Sequence, residues 1–147
     1  MNNDTCVPVV IVNFNAGERL RDCVMSVLQS DCEVRVYVSD NGSTDNSLET
    51  LETAAQSDPR LIVVRNDANL GFAKGNNRIL PMLPQSEFIL FLNPDCLLQA
   101  DTISRMSQIL AAYPKAGLAS CLIVNPDGSE QRGCRRQRSE ERRVGKE

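Results

Sequence analysis

Phe88-Ile89-Leu90-Phe91-Leu92-Asn93-Pro94-Asp95 is an unbroken apolar run that stops at an amide, a proline and a carboxylate. Five consecutive apolar residues read as a strand buried on both faces, the environment of a parallel sheet covered by helices. The pattern occurs three more times. Residues 9–12 run into Asn13-Phe14-Asn15, residues 34–38 into Ser39-Asp40-Asn41-Gly42-Ser43, and residues 61–64 into Arg65-Asn66-Asp67. Ligands of open α/β sheets bind at the carboxyl ends of the strands. Four polar strand ends therefore mark one candidate site.

Between these runs the period changes. Leu20, Cys23, Val24, Val27 and Leu28 stand at i, i+3, i+4, i+7 and i+8, one stripe of an amphipathic helix. Ser43 or Thr44 is expected to cap a second helix carrying Leu48, Leu51 and Ala55. Residues 69–77 lead into a short helical piece through Ile79 and Leu80, closed by Pro81 and Pro84. Ile103, Met106, Ile109, Leu110 and Tyr113 mark a further helix, which Pro114 and Gly117 end. Residues 118–124 read as a fifth strand before the turn Asn125-Pro126-Asp127-Gly128. The alternation predicts an α/β fold, a mostly parallel sheet of about five strands with helices on both faces. No internal repeat is present.

A chain of 147 residues suits one domain with a real core, and 41% apolar and 24% charged residues place it among ordinary globular proteins. No run approaches the roughly 18 apolar residues of a membrane span, and the opening residues lack a signal-peptide pattern. A cytoplasmic location is expected. The six cysteines form no C-x-x-C pair and histidine is absent, so buried free thiols are expected rather than zinc ligands or a disulfide framework. The net charge of −3 hides an asymmetry. Residues 132–147 hold seven Arg or Lys against three Glu, a balance of +4 against −7 for the rest. A basic end can bind nucleic acid or an anionic membrane. This one has almost no apolar residue with which to pack, so disorder is expected. Its closing residues resemble a non-native end, and no nucleic-acid partner is read from them. The division expected is a domain over 1–131 and a tail over 132–147.

A carboxylate at a strand end is held by the sheet rather than by a loose loop. Asp95 can therefore hold a hard cation such as Mg²⁺ or Mn²⁺, which takes one or two carboxylates and completes its shell with phosphate oxygens. Pro94 stiffens the approach, and Asn93 suits a ribose hydroxyl. Asp95 equally fits the first turn of the helix that follows Asp101 and Thr102. Asp40 can accept the imide N–H of uracil or thymine, yet Asp40-Asn41-Gly42-Ser43 is also good turn chemistry. Asn69, Gly71, Lys74, Gly75, Asn76 and Asn77 concentrate amides and glycines at a helix start. Glycines let backbone approach a phosphate there, and helix-start N–H groups attract anions. The segment is neither a Walker A loop nor G-x-G-x-x-G, and a glycine-loosened loop explains it too.

In this order the four segments 9–15, 38–45, 65–77 and 91–95 resemble family 2 glycosyltransferases, with the closest likeness to the rhamnosyltransferase-like branch. The likeness covers about residues 7–131. It implies the GT-A fold and an inverting transfer of a sugar from a nucleoside-diphosphate sugar to a glycan or lipid-linked acceptor in cell-surface polysaccharide synthesis. It further implies that Asp40 contacts the base, that the segment from Asn69 to Asn77 lies beside the nucleotide, and that Asn93 and Asp95 stand in the Asp-x-Asp motif. Asn93 is a departure, an amide in place of the first acid. On this likeness the donor site comprises Asn13, Asn15, Asp40, Asn41, Gly42, Asn69, Gly71, Lys74, Asn76, Asn77 and Asn93, with Asp95 on Mg²⁺ or Mn²⁺.

A second departure is larger. Inverting transfer needs a general base to deprotonate the acceptor hydroxyl. Family members place that acid well after the fifth strand, where this sequence has only Glu140 and Glu141 in the basic tail. The expectation is a donor-binding fragment, inactive alone, whose missing part would make any peripheral contact with the inner face of a membrane. Two other classes compete. A flavodoxin-like nucleotide-binding module would keep the strand-end acids and transfer nothing. A nucleotidyltransferase would carry a Gly- and Arg/Lys-rich loop after strand one, which Asn13-Phe14-Asn15-Ala16-Gly17-Glu18 lacks.

Overall fold

A computed structural model describes residues 6–131. Four strands form one parallel sheet: β1 (Val7–Asn13), β2 (Val34–Asp40), β3 (Leu61–Arg65) and β4 (Leu90–Leu92), in the order β3-β2-β1-β4. The helices are α1 (Glu18–Leu28), α2 (Ser47–Ala55), α3 (Gly71–Ile79) and α4 (Thr102–Ala112), with a 3₁₀ turn at Leu80–Met82. The α/β class with helices on both faces is as expected.

The two faces separate by strand periodicity. Val7, Val9 and Ile11 of β1 pack with Leu20, Cys23, Val24 and Val27 of α1, Leu48 and Leu51 of α2, and Ile103 of α4. Val10 points to the other face, with Tyr37 of β2 and Ile79 of α3. Thus α1 and α2 cover one face and α3 the other. The chain moves outward from β1 to β2 to β3, crosses by way of α3, and returns to the opposite side of β1 at β4. The gap between the carboxyl ends of β1 and β4 is therefore a topological switch point, where open α/β sheets bind ligands.

Several local expectations need correction. Residues 118–124 do not join the sheet; within them only Val124 bridges, antiparallel to Glu130, and Leu118 is 86% exposed. Strand β4 covers three residues rather than five, since it pairs with β1 only over Leu90, Phe91 and Leu92. It lies at an edge and is not buried on both faces, as Phe91 is 48% exposed. Helix α2 starts at Ser47, so neither Ser43 nor Thr44 caps it. The N-cap position is Asn46, which makes no side-chain cap hydrogen bond; Asp45, one residue earlier, accepts the Ser47 N–H at 3.1 Å and the Ser47 hydroxyl at 2.5 Å on its Oδ1. Among the described residues Cys6, Cys23, Cys32, Cys96 and Cys121 are free thiols, but only Cys23 is buried. Cys134 and the tail lie outside the described residues, and among the described residues no helix is long and apolar enough to cross a membrane.

Candidate functional site

The register of β1 against β2 sets Asn13 beside Asp40, the last residue of each strand. Both are buried; Asp40 is 3% exposed. Asn13 Nδ2 donates to Asp40 Oδ1 (2.8 Å), Ser43 Oγ (3.0 Å) and Ser47 Oγ (2.9 Å). Ser43 in turn donates its hydroxyl to Asp40 Oδ1 (2.6 Å) and its N–H to Asp40 Oδ2 (3.1 Å). A buried carboxylate is tolerated because donors surround it. Asn13 Oδ1, by contrast, is buried without a partner.

This network ties the loop after β1 to the loop after β2. The Asn15 N–H donates to Ser43 Oγ (3.0 Å), and Asn15 Oδ1 accepts from the Thr44 N–H (2.8 Å). Asp45 Oδ2 accepts the Gly17 N–H (2.9 Å). The Ser47 hydroxyl, followed by the N–H groups of Ser47 and Gly17, holds the Asp45 carboxyl below the ordinary aspartate range. Asn15 takes a left-handed φ of 53°, a conformation that asparagine tolerates.

A second polar ladder runs behind the first. Asn66 Nδ2 donates to Ser39 Oγ and Asn41 Oδ1 (both 3.0 Å), and Asn41 Nδ2 donates to Asn69 Oδ1 and the Gly71 carbonyl (both 3.3 Å). Gly42 (φ 73°) and Gly71 (φ 76°) supply the left-handed turns around it. Gly75 faces the sheet. A Cβ there would stand 2.9 Å from Val12 Cγ1, so this glycine lets α3 lie against β1. Asn76 is buried, its Nδ2 bonded to the Phe72 carbonyl one turn back, while Lys74 and Asn77 are exposed on α3.

At the switch point lies an opening of about 520 Å³, lined by Phe14, Asn15, Ala16, Gly17, Arg19, Asp45, Asn93, Pro94 and Asp95. Asn93-Pro94-Asp95-Cys96 is a turn closed by the Cys96 N–H on the Asn93 carbonyl (3.2 Å), with proline at its second position. The Cys23 thiol meets the same carbonyl at 3.4 Å. Burial pushes that thiol up to about 12, with Cys96 and Asp95 adding to the rise. Asp95 stays outside the α4 cap, a position Asp101 occupies. Its carboxylate is exposed, and among the described residues its one side-chain hydrogen-bond partner is the Cys96 thiol, at 3.9 Å.

The sequence-derived set thus divides into four groups. Asn15, Asn93 and Asp95 share the opening; Asn13 and Asp40 form its buried frame; Asn41, Asn69 and Gly71 make the ladder, with Gly42 at the turn; Lys74, Asn76 and Asn77 ride on α3 and do not line the opening. Sequence reasoning missed Asp45 and Arg19. Asp45 was visible as the closing acid of Asp40-Asn41-Gly42-Ser43-Thr44-Asp45, two residues before an apolar helical stripe, which is a cap signal. Arg19 gave no signal, being one of two arginines on an amphipathic helix and part of no motif.

A family model described as glycosyl transferase family 2 matches residues 9–146. The chain belongs to that family. An N-acetylglucosaminyl-diphospho-decaprenol L-rhamnosyltransferase of Mycobacterium tuberculosis is 30% identical over 134 residues, which cover 84% of this chain and 43% of that protein. An uncharacterized glycosyltransferase of Bacillus subtilis, YfnE, is 35% identical over 99 residues, covering 66% and 25%. The chain thus spans less than half the length of these family 2 relatives. Among solved structures, the mannosyltransferase PcManGT from Pyrobaculum calidifontis, in complex with GDP-Man and Mn²⁺, superposes with a TM-score of 0.73 at 23% identity, over 84% of this chain and 36% of that one. Staphylococcus aureus TarS 1–349 in complex with UDP-GlcNAc gives 0.65 at 20% identity, over 80% and 38%. The fold is that of these GT-A enzymes.

Proposed function

We propose that this chain is the donor-binding part of an inverting glycosyltransferase that takes its sugar from a nucleoside diphosphate. One observation carries the reading. In a family 2 chain, the opening at the switch point is lined by an exposed, nearly partnerless carboxylate, Asp95, above a buried Asn13–Asp40 frame. The mycobacterial relative's name favours rhamnose as the sugar and a lipid-linked acceptor.

The residues fit a hard divalent cation. Beside Asp95, the Asn15, Asp45 and Asn93 side chains lining the opening carry oxygen, and among the described residues no group of three His, Cys, Asp or Glu stands together. Such a site holds Mg²⁺ or Mn²⁺ only jointly with phosphate oxygens and water. When bound, the cation neutralises charge on the departing diphosphate. Asp40 keeps acceptor capacity on Oδ2, which has one hydrogen bond, and that oxygen suits an imide N–H. The Ser43, Asn15 and Asp45 contacts hold both loops in place, so donor binding orders little backbone. Asn93 offers its amide to the ribose. No residue of the chain is assigned as general base.

The test is thermal protection by dTDP or UDP with Mn²⁺. Wild type is expected to gain stability, and Asp95→Ala to lose the Mn²⁺-dependent part. Equal protection of both proteins overturns the metal assignment. With dTDP-rhamnose, UDP-sugars and lipid-linked acceptors, mass spectrometry is expected to find no multiple-turnover product from residues 1–147; such product refutes the donor-binding-part reading.

A further inference from the structure

The switch-point opening carries three charged side chains: Asp45, Asp95 and Arg19. Asp45 is already committed, its oxygens taken by Gly17 and Ser47. Asp95 and Arg19 are not. Arg19 is exposed on the first turn of α1 and, among the described residues, makes no ion pair or side-chain hydrogen bond. Arg21, Arg60, Arg65 and Arg105 each hold a carboxylate. A guanidinium and a carboxylate therefore share one concavity without meeting, although a long flexible side chain closes such gaps readily on a surface.

We infer that Arg19 is the cationic wall of the donor site and grips the diphosphate of the nucleotide sugar from the side opposite Asp95. The inference rests on the donor-binding reading above and adds to it a residue for the leaving group. Its physical basis is charge order. A diphosphate entering a cleft that bears two carboxylates is repelled unless positive charge stands on both of its sides. A divalent cation on Asp95 would supply one such charge; among the described residues, Arg19 is the only basic side chain lining the opening. The planar guanidinium fork matches a pair of phosphate oxygens, which a lysine ammonium meets only as a point charge. Gly17 and Arg19, at the start of α1, both line the opening, so the positive end of that helix lies beside it. Arg19 is thus a binding residue for the donor's phosphates, and it stabilises the diphosphate as it departs.

The experiment is competition binding on the full chain with Mn²⁺, using dTDP and UDP against thymidine and uridine. Arg19→Gln is expected to weaken both diphosphates roughly tenfold or more, as loss of a charge-assisted contact does, and to leave both nucleosides unchanged. Arg19→Lys should recover part of the loss. Because the Arg19 side chain makes no hydrogen bond or ion pair among the described residues, the melting temperature without ligand should match wild type. Unaltered diphosphate affinity in Arg19→Gln overturns the inference while the donor-site reading stands. Equal loss of nucleoside and diphosphate overturns it too, since it makes Arg19 a prop for the loop. If wild type binds none of the four ligands, the donor-site reading fails and the inference falls with it.

Discussion

Gly75 shows how a single residue's role can be misread from sequence. It stands among amides at a helix start, which suggested a close approach to phosphate, yet its neighbour is Val12 of the sheet. Valine is stiff at χ1, so a Cβ at 2.9 Å must push the helix away. Gly75→Ala should gain roughly 1 kcal/mol of helix propensity and lose more to overpacking, for a net cost of about 1–2 kcal/mol. Urea unfolding checks this, with Gly117→Ala, whose added Cβ meets nothing within 4 Å, as the unaffected control. A Gly75→Ala protein as stable as wild type would remove the packing role. Asp40→Asn belongs to the same scale. It places an NH₂ against the Ser43 N–H and so should cost about 1–3 kcal/mol of stability. If Asp40 also reads the base, dTDP affinity should fall while inorganic pyrophosphate binding holds. Asn13 and Asp40 were legible as polar residues ending apolar runs. Their partner Ser47 was not, because only the register of β1 on β2 brings a residue 34 positions away from Asn13 into contact.

At the scale of elements, apolar spacing located α1, α2 and α4 to within a few residues, whereas their ends followed local hydrogen bonds. Asp45 braces the first residue of α2, Ser47, and its effect depends on pH. Its folded-state pKa lies below the unfolded value near 3.8. The contact therefore contributes fully above that value and is lost as pH falls through the folded pKa. Asp45 is exposed, so the effect is small and screened. Urea midpoints measured from pH 7 down to pH 2 should fall at the acid end, and Asp45→Asn should flatten that fall while lowering the plateau. An unchanged acid limb in Asp45→Asn would show that another carboxylate governs it.

Across the whole molecule, burial is uneven. Phe91 and Ile89 beside the β4 edge, Ile109 and Tyr113 of α4, and Leu118 and Leu122 beyond it are all exposed. An exposed strand edge with apolar neighbours is a template for pairing. Sedimentation velocity should show self-association that rises with concentration, and Phe91→Lys should weaken it without lowering the melting temperature. A monodisperse monomer at high concentration would contradict this prediction.

The alternation of buried runs and amphipathic stripes determined the α/β class, and the four motifs in order determined the family resemblance, because both depend on residues close together in the chain. The tertiary structure decided which strand ends meet. The order β3-β2-β1-β4 opens the gap between β1 and β4, so Asp95 faces Asn15 and Arg19, while Lys74 and Asn77 lie away on α3. Strand order and register arise from contacts between residues far apart in sequence, which a local pattern does not encode. Residues 118–124 mark the same boundary from the other side: six apolar residues around Ser120 have strand character, but pairing in the sheet requires a neighbouring strand edge, and in this structure they do not take the one at β4.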